Sequence, residues 1–218
     1  MKKPKNIKVP KEINVDHFRV TIFGSARIKP GDQRYKQIFN LAKMIASENM
    51  DVVTGGGPGI MEAANKGHQE GRKNNDVHSF GLNINLPMEQ HENKHLDVMK
   101  EFDLFSKRLD YFMFLSNVVV VAPGGIGTLL ELSYAWQLMQ VHHMKGIPII
   151  LVGKMWEELI NWFEKYPLKS KLVSPEDMHN IFLADTVQQA MKVIRKAKEA
   201  FDNDDHELFC SNYTQYRI

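Results

Sequence analysis

A glycine-rich turn followed by a glutamate is the segment of this chain whose residue types could bind a ligand and react with it. Residues 117–131 have the sequence NVVVVAPGGIGTLLE. The three glycines carry no Cβ, so a ligand can approach the backbone closely. A helix predicted to begin at Thr128 would direct its unpaired amides, and the positive end of its dipole, toward an anion such as a phosphate. Glu131 would lie about one turn inside that helix, which predicts an anion site with a carboxylate beside it.

The spacing of these glycines excludes two common nucleotide motifs. GIGTLL is not GxGxxG, because Leu130 stands at the position of the third glycine, and no Gly-Lys-Ser/Thr sequence follows. The segment is therefore neither a dinucleotide fingerprint nor a P-loop. Taken alone, it is also compatible with a tight turn that binds nothing and a solvated glutamate.

Two further predicted strands also run into glycine. Residues 18–23 (FRVTIF) are followed by Gly24 and Ser25, and residues 51–54 (DVVT) are followed by GGGPG at 55–59. The carboxyl ends of strands in a doubly wound sheet lie along one edge, so we expect these turns to line one crevice. An ordinary loop remains the alternative for the Gly-Ser turn.

An arginine stands where a helix would not favour it. Lys107 and Arg108 fall in the first turn of a helix predicted at 106–115, where the dipole disfavours positive charge. Beside a phosphate pocket, the planar guanidinium of Arg108 is explained if it binds an oxyanion. A surface salt bridge is the alternative.

Short apolar runs alternate with helical patterns along the chain. Strands are predicted at 18–23, 51–54, 77–84, 95–105, 118–121, 147–152 and 181–184. Helices are predicted at 35–49, 60–71, 106–115, 128–142, 155–163 and 186–201. This alternation predicts an α/β fold, a single doubly wound, Rossmann-like domain with a mostly parallel central sheet. We expect the domain to cover 17–201, between a basic N-terminal arm (1–16) and an acidic C-terminal tail (202–218).

Composition limits the classes of partner. The 218 residues carry 28 basic and 26 acidic side chains, a net charge of +2, which gives no global field for binding nucleic acid. The single cysteine, Cys210, cannot form an internal disulfide, in agreement with a reducing cytoplasm. We find neither an apolar run long enough to span a bilayer nor a signal-peptide core. We therefore expect a cytoplasmic protein with no nucleic-acid or membrane partner.

The histidines do not predict a metal site. His91 and His95 are four residues apart, as two ligands on one helix face would be. Pro87 and Asn93 indicate a loop there instead, without a third ligand in register. We expect His142 and its neighbour to cap a helix C-terminus, and we expect no metal and no cofactor.

The helix predicted at 128–142 is apolar nearly all round. Its apolar residues are Leu129, Leu130, Leu132, Tyr134, Ala135, Trp136, Leu138 and Met139. One sheet face cannot cover all of them, so we expect a homodimer with this helix in or near the interface.

Two motifs together resemble the LOG family. GGGPGIMEAA (55–64) and PGGIGTLLE (123–131) closely resemble its members, whose signature is PGGxGTxxE, and the resemblance covers about residues 18–163. LOG proteins were long labelled lysine decarboxylases, but many act as nucleoside 5′-monophosphate phosphoribohydrolases, including cytokinin-activating enzymes. The resemblance implies that Arg108 and Glu131 are the catalytic pair.

The implied reaction is hydrolysis of the N-glycosidic bond of an AMP-like or cytokinin riboside monophosphate, giving free base and ribose 5-phosphate. Glu131 would hold the ribose hydroxyls, and it would stabilise an oxocarbenium-like transition state or orient water. Arg108 would orient the phosphate or ribose, or help the departing base accept negative charge. The residues expected to bind the substrate and its phosphate are Gly24, Ser25, Gly56, Gly57, Gly124, Gly125, Ile126, Gly127 and Thr128.

Two other classes of function are alternatives to the hydrolase. The family arginine is usually followed by lysine, whereas Leu109 follows Arg108 here. This difference favours, as the alternative, a carrier that binds a nucleotide or nucleotide-like cofactor without turnover. An amino-acid decarboxylase is disfavoured, because no lysine has the context of a pyridoxal Schiff base.

Overall fold

A sheet of parallel strands forms the centre of the structure. The computed structural model describes residues 17–74, 76–84, 92–141, 143 and 147–204. Its strands are β1 (Arg19–Phe23), β2 (Asp51–Thr54), β3 (Ser79–Ile84), β4 (Val98–Phe102), β5 (Val118–Val121), β6 (Ile149–Val152) and β7 (Ile181–Ala184). They lie in the order β4-β3-β2-β1-β5-β6-β7, and each neighbouring pair is parallel. The strand order reverses between β1 and β5, the topological switch point of a doubly wound sheet. The predicted fold class is confirmed.

Helices cover both faces of the sheet. They are α1 (Gln33–Ser47), α2 (Ile60–Gly71), α3 (Phe105–Leu115), α4 (Ile126–Gln140), α5 (Met155–Phe163) and α6 (Val187–Asp202). One apolar cluster packs α1, α2 and α6 against one face, and a second packs α3, α4 and α5 against the other. A π-helical turn (Glu164–Leu168) and a 3₁₀ turn (Pro175–Met178) follow α5. In the ranges that the structure describes, every helix is too short or too polar to cross a membrane.

The valines of β5 show why the sequence forms this core. Val118 and Val120 belong to the first apolar cluster, and Val119 and Val121 belong to the second. All four are fully buried. A strand buried on both faces needs apolar residues at every position, which explains a continuous run of valines rather than an alternating pattern.

Three helices begin earlier than the sequence predicts: α1 begins at Gln33 instead of Tyr35, and α3 and α4 begin before their predicted hydroxyl caps. α4 begins at Ile126 after the N-cap Gly125, and α3 begins at Phe105 after the N-cap Leu104. The predicted starts, Thr128 and Ser106, follow the usual preference for hydroxyl caps. Neither N-cap makes a side-chain hydrogen bond here, and the amides at these helix starts remain available to other partners.

Some predictions lie outside the described residues. These are the basic arm 1–16, positions 205–218 of the acidic tail with Cys210, and the residues Pro87, His91 and His142.

Candidate active site

A cavity of about 520 Å³ lies at the carboxyl edge of the sheet. Its walls come from the ends of β1, β2 and β3, from α3, and from the starts of α2 and α4. The volume is in the range of small-molecule sites. The position is the one expected for ligands in this class of fold, next to the point where the strand order reverses.

Most of the predicted site residues line this cavity. They are Gly24, Ser25, Arg108, Gly125, Ile126, Gly127, Thr128 and Glu131. Three others, Gly56, Gly57 and Gly124, are not among the described residues that line it.

The start of α4 presents backbone amides to the cavity. The bond from the Leu129 N–H to the Gly125 carbonyl, 2.9 Å long, closes the first turn of the helix. The amides of Ile126, Gly127 and Thr128 precede that bond, and so they have no partner within the helix. A Cβ at Gly125 or Gly127 would meet nothing within 4 Å, which leaves room for a ligand against the backbone.

Gly124 is required by the packing of the turn. A Cβ there would lie 2.1 Å from Oγ1 of Thr128, whose side chain is buried. The close approach of the Gly124 backbone to this side chain keeps the turn compact.

Gly56 and Gly57 belong to a turn that Asn93 holds from outside the cavity. The buried Asn93 amide nitrogen, Nδ2, donates to the carbonyls of Gly56 (3.1 Å) and Gly57 (3.0 Å). Gly56 has φ = 76°, a value that favours glycine. The contribution of Asn93 could not be predicted from its neighbours in the chain, because it depends on a contact 36 residues away from Gly57.

Arg108 is held by two contacts and lies close against the backbone of Gly55 on a third side. Its Nε donates to the Leu82 carbonyl at 2.6 Å, and its guanidinium carbon lies 5.0 Å from the centre of the Phe112 ring. A Cβ at Gly55 would lie 2.3 Å from its Nη2. Only 8% of Arg108 is exposed. The interpretation of this residue as part of a surface salt bridge is therefore wrong.

Arg108 and Glu131 form an ion pair within the cavity. Nη1 of Arg108 lies 3.6 Å from Oε1 of Glu131. Burial raises the pKa of Glu131 to about 7, against the opposing effect of the Arg108 charge. Burial also lowers the pKa of Arg108, which the Glu131 charge opposes, yet an arginine stays protonated near neutral pH. The pair thus combines a fixed cation with a carboxyl group that can change its charge under physiological conditions.

Two polar residues of the cavity have no predicted role. Arg27 follows β1, and Asn83 lies near the end of β3. Both are close to the carboxyl end of a predicted strand, and that position is the signal from which they could have been identified. The rest of the wall is largely apolar and includes Ile84, Phe105 and Leu109. Among the described residues, no group of three acidic, histidine or cysteine side chains is arranged to hold a metal ion.

Comparisons with known proteins identify the family and the fold. Residues 61–194 match the family model described as "Possible lysine decarboxylase". No match to a curated protein sequence was found. The molybdenum cofactor carrier protein from Chlamydomonas reinhardtii has a similar structure, with a TM-score of 0.63, 19% identity, and coverage of 84% of this chain and 99% of that chain.

Two other solved structures are similar over comparable lengths. The molybdenum cofactor binding protein from Rippkaea orientalis has a TM-score of 0.62 and 19% identity, with 83% of this chain and 96% of that chain covered. A structural-genomics target, TM1055, has a TM-score of 0.63 and 25% identity, with 82% and 99% covered. At 19% identity, the two molybdenum cofactor proteins show that the fold is shared.

Proposed function

This chain belongs to the LOG family, whose family model is described as possible lysine decarboxylase, and we propose that it is a nucleoside 5′-monophosphate phosphoribohydrolase. It would cleave the bond between the base and C1′ of the ribose. The observation that carries the proposal is the Arg108–Glu131 pair, a buried arginine beside a partly buried glutamate, which lies in one cavity with the unpaired amides at the start of α4.

The order of groups along the cavity favours one orientation of the nucleotide. The amides of Ile126 to Thr128 bind the 5′-phosphate, with support from the helix dipole. Glu131 follows about one turn later in the same helix, where the ribose of a bound nucleotide would lie. The base then extends toward the apolar wall formed by Ile84, Phe105 and Leu109.

The reaction balances with one water molecule. The C1′–N bond breaks and its electron pair stays on the base, while a water oxygen bonds to C1′. The ionised Glu131 stabilises the positive charge that develops on the ribose and accepts the proton that the water releases. The proton held by Glu131 then passes through solvent to the departing base, so one water molecule supplies both groups and the products are neutral free base and ribose 5-phosphate. The Arg108 cation stabilises negative charge on the phosphate or on the base.

The family description names a different chemistry, lysine decarboxylation. Such an enzyme needs a lysine that forms a Schiff base with pyridoxal phosphate. The described residues that line the cavity include no lysine. The lining therefore favours the hydrolase.

One observation supports a second candidate function. Leu109 lines the cavity at the position where LOG enzymes usually have a lysine, so this site has one cation fewer. The second candidate is a carrier that binds a nucleotide or nucleotide-like cofactor and releases it unchanged.

A panel of nucleotides separates the two candidates. The purified protein is incubated with AMP, GMP, CMP, UMP and isopentenyladenosine 5′-monophosphate, and the products are separated by chromatography. Binding of the same compounds is measured by calorimetry. Release of free base together with ribose 5-phosphate supports the hydrolase, whereas binding without any release of base supports the carrier.

A substitution at Glu131 tests the residue that the mechanism depends on. Glu131→Gln should lower turnover by about 10²-fold while nucleotide affinity is retained, because one electrostatic group of the transition state is removed. Glu158→Gln, at an exposed position on α5, is the matched control and should retain full activity. Full activity in Glu131→Gln would exclude the proposed role.

We also propose that the protein acts as a cytoplasmic homodimer. The support for dimerisation is the exposed apolar surface of α4, which consists of Leu129 together with Ile126 and Leu130, two residues that also line the cavity.

A further inference from the structure

Asn83 lines the cavity, and the proposed reaction does not yet use its side-chain amide. The residue lies one position before the end of β3 and lines the cavity. Its side-chain oxygen, Oδ1, accepts the backbone N–H of Ile84 at 2.9 Å. A backbone N–H can bond only to the oxygen of an amide, so this contact fixes the orientation of the Asn83 side chain. The NH₂ group, which carries two donor hydrogens, is then the part left for a ligand.

The position of Asn83 relative to the catalytic pair places this donor on the base side. Arg108 donates its Nε–H to the carbonyl of Leu82, the residue directly before Asn83. Nη1 of the same guanidinium lies 3.6 Å from Glu131. Arg108 therefore connects Glu131, on the helix whose start offers the free amides, with the end of β3. A nucleotide with its phosphate at α4 and its ribose at Glu131 has its base directed toward Asn83.

We infer that Asn83 is a catalytic residue that donates an Nδ2–H hydrogen bond to the departing base. This inference rests on the proposed hydrolase function. When the C1′–N bond breaks, its electron pair moves onto the base and spreads to the ring nitrogens and carbonyl oxygens, which are hydrogen-bond acceptors. A donor fixed in position strengthens its bond as this charge develops, and so it stabilises the transition state more than the bound substrate. The amide keeps its hydrogen, and the proton that neutralises the base comes from water.

The experiment varies both the residue and the leaving group. Asn83→Asp keeps an oxygen for the Ile84 N–H but replaces the NH₂ donor with a second acceptor. The matched control is Asn117→Asp. Asn117 Oδ1 also accepts a backbone N–H, from Arg19 at 2.8 Å, but it directly precedes β5, at the opposite edge of the sheet from the cavity.

Each variant is assayed with the best nucleotide of the panel and with 4-nitrophenyl β-D-ribofuranoside 5-phosphate. Nitrophenolate is a stable anion and needs no hydrogen bond to leave. Asn83→Asp should lose about 10²-fold in kcat on the nucleotide, the effect of removing one transition-state donor. On the nitrophenyl substrate it should stay within about threefold of wild type, because both substrates share the phosphate and ribose contacts. Asn117→Asp should match wild type on both.

The outcomes are distinguishable. If kcat of Asn83→Asp falls equally on the two substrates, Asn83 has a structural role. If the variant keeps full activity on the nucleotide, Asn83 takes no part in the reaction. Either result overturns the inference. Wild-type protein that cleaves neither substrate overturns the hydrolase function, and the role of Asn83 with it. If Asn83→Asp does not fold, as judged by circular dichroism, Asn83→Ala replaces it and should show the same difference between substrates.

Discussion

A Cβ atom at Gly55 would lie 2.3 Å from Nη2 of Arg108, closer than two such atoms can approach. The absence of a side chain at Gly55 therefore makes the space in which the guanidinium lies. Gly55 is the residue directly after β2, and it lines the cavity. The glycine-rich turn after β2 thus contributes to the site by leaving space for the guanidinium of Arg108.

Gly55→Ala should lower kcat by about 10²-fold, because the new methyl group displaces the guanidinium from its place beside Glu131. The measurement is turnover of the best nucleotide, compared with Arg108→Ala and with the double variant. If the effect acts through Arg108, Gly55→Ala should cause little further loss in the Arg108→Ala background. Losses that multiply in the double variant would show that Gly55 acts through another contact, such as that with Met61.

The rate should depend on pH through Glu131, whose pKa burial raises to about 7. The ionised form is the active one, so kcat/KM should fall about tenfold for each pH unit below about 7 and level off above it. Arg108 lowers this pKa, so in Arg108→Ala the acidic limb should move to higher pH. The substrate phosphate also titrates near pH 6. The residual activity of Glu131→Gln depends on pH only through the substrate phosphate, because the glutamine does not titrate. If the fall in rate at low pH is the same in this variant as in wild type, Glu131 is not its cause.

The same carboxyl group should make stability depend on pH. The pKa of Glu131 is about 7 in the folded protein, against an ordinary value of 4.5. Between these values the folded chain binds more protons than the unfolded chain, so its free energy of unfolding decreases as pH rises. At about 1.4 kcal/mol per pKa unit, the loss reaches about 3 kcal/mol above pH 7. The amide introduced by Glu131→Gln does not titrate, so this variant should not lose this part of its stability. The difference in the free energy of unfolding between the variant and wild type should therefore grow in favour of the variant as the pH rises from 5 to 8. Urea unfolding at the two pH values measures this gain, and a difference independent of pH would contradict it.

The sequence predicts this fold well because its signals are local. The four valines of β5 and the matching runs of β6 and β7 allow only buried strands, and the amphipathic helices between them require a parallel sheet. Helix starts are less predictable. Gly125 and Leu104 act as N-caps without a side-chain bond, and therefore the usual preference for hydroxyl caps shifts the predicted starts toward Thr128 and Ser106.

The candidate site is predictable only in part, because sequence signals are local and only part of the site is formed by one continuous segment. The glycines at the start of α4 and the Glu131 that follows belong to one continuous segment, and they meet the cavity together. The space that Gly55 leaves for Arg108 and the bonds from Asn93 to the turn after β2 arise from contacts between distant segments. No periodicity or motif in the chain encodes those contacts.

The outer face of α4 provides the last prediction. Leu129 is 41% exposed on this helix, and it does not belong to the described lining of the cavity. If a second copy of the chain covers this face, Leu129→Asp should convert the dimer to a monomer, because a carboxylate would be buried in an apolar interface. Leu172→Asp is the matched control, since Leu172 is an equally apolar side chain that is 76% exposed beyond α5. Light scattering at micromolar concentration should give the mass of two chains for wild type and Leu172→Asp, and the mass of one chain for Leu129→Asp. A wild-type mass of one chain, or a dimer that persists in Leu129→Asp, would show that α4 does not form the interface.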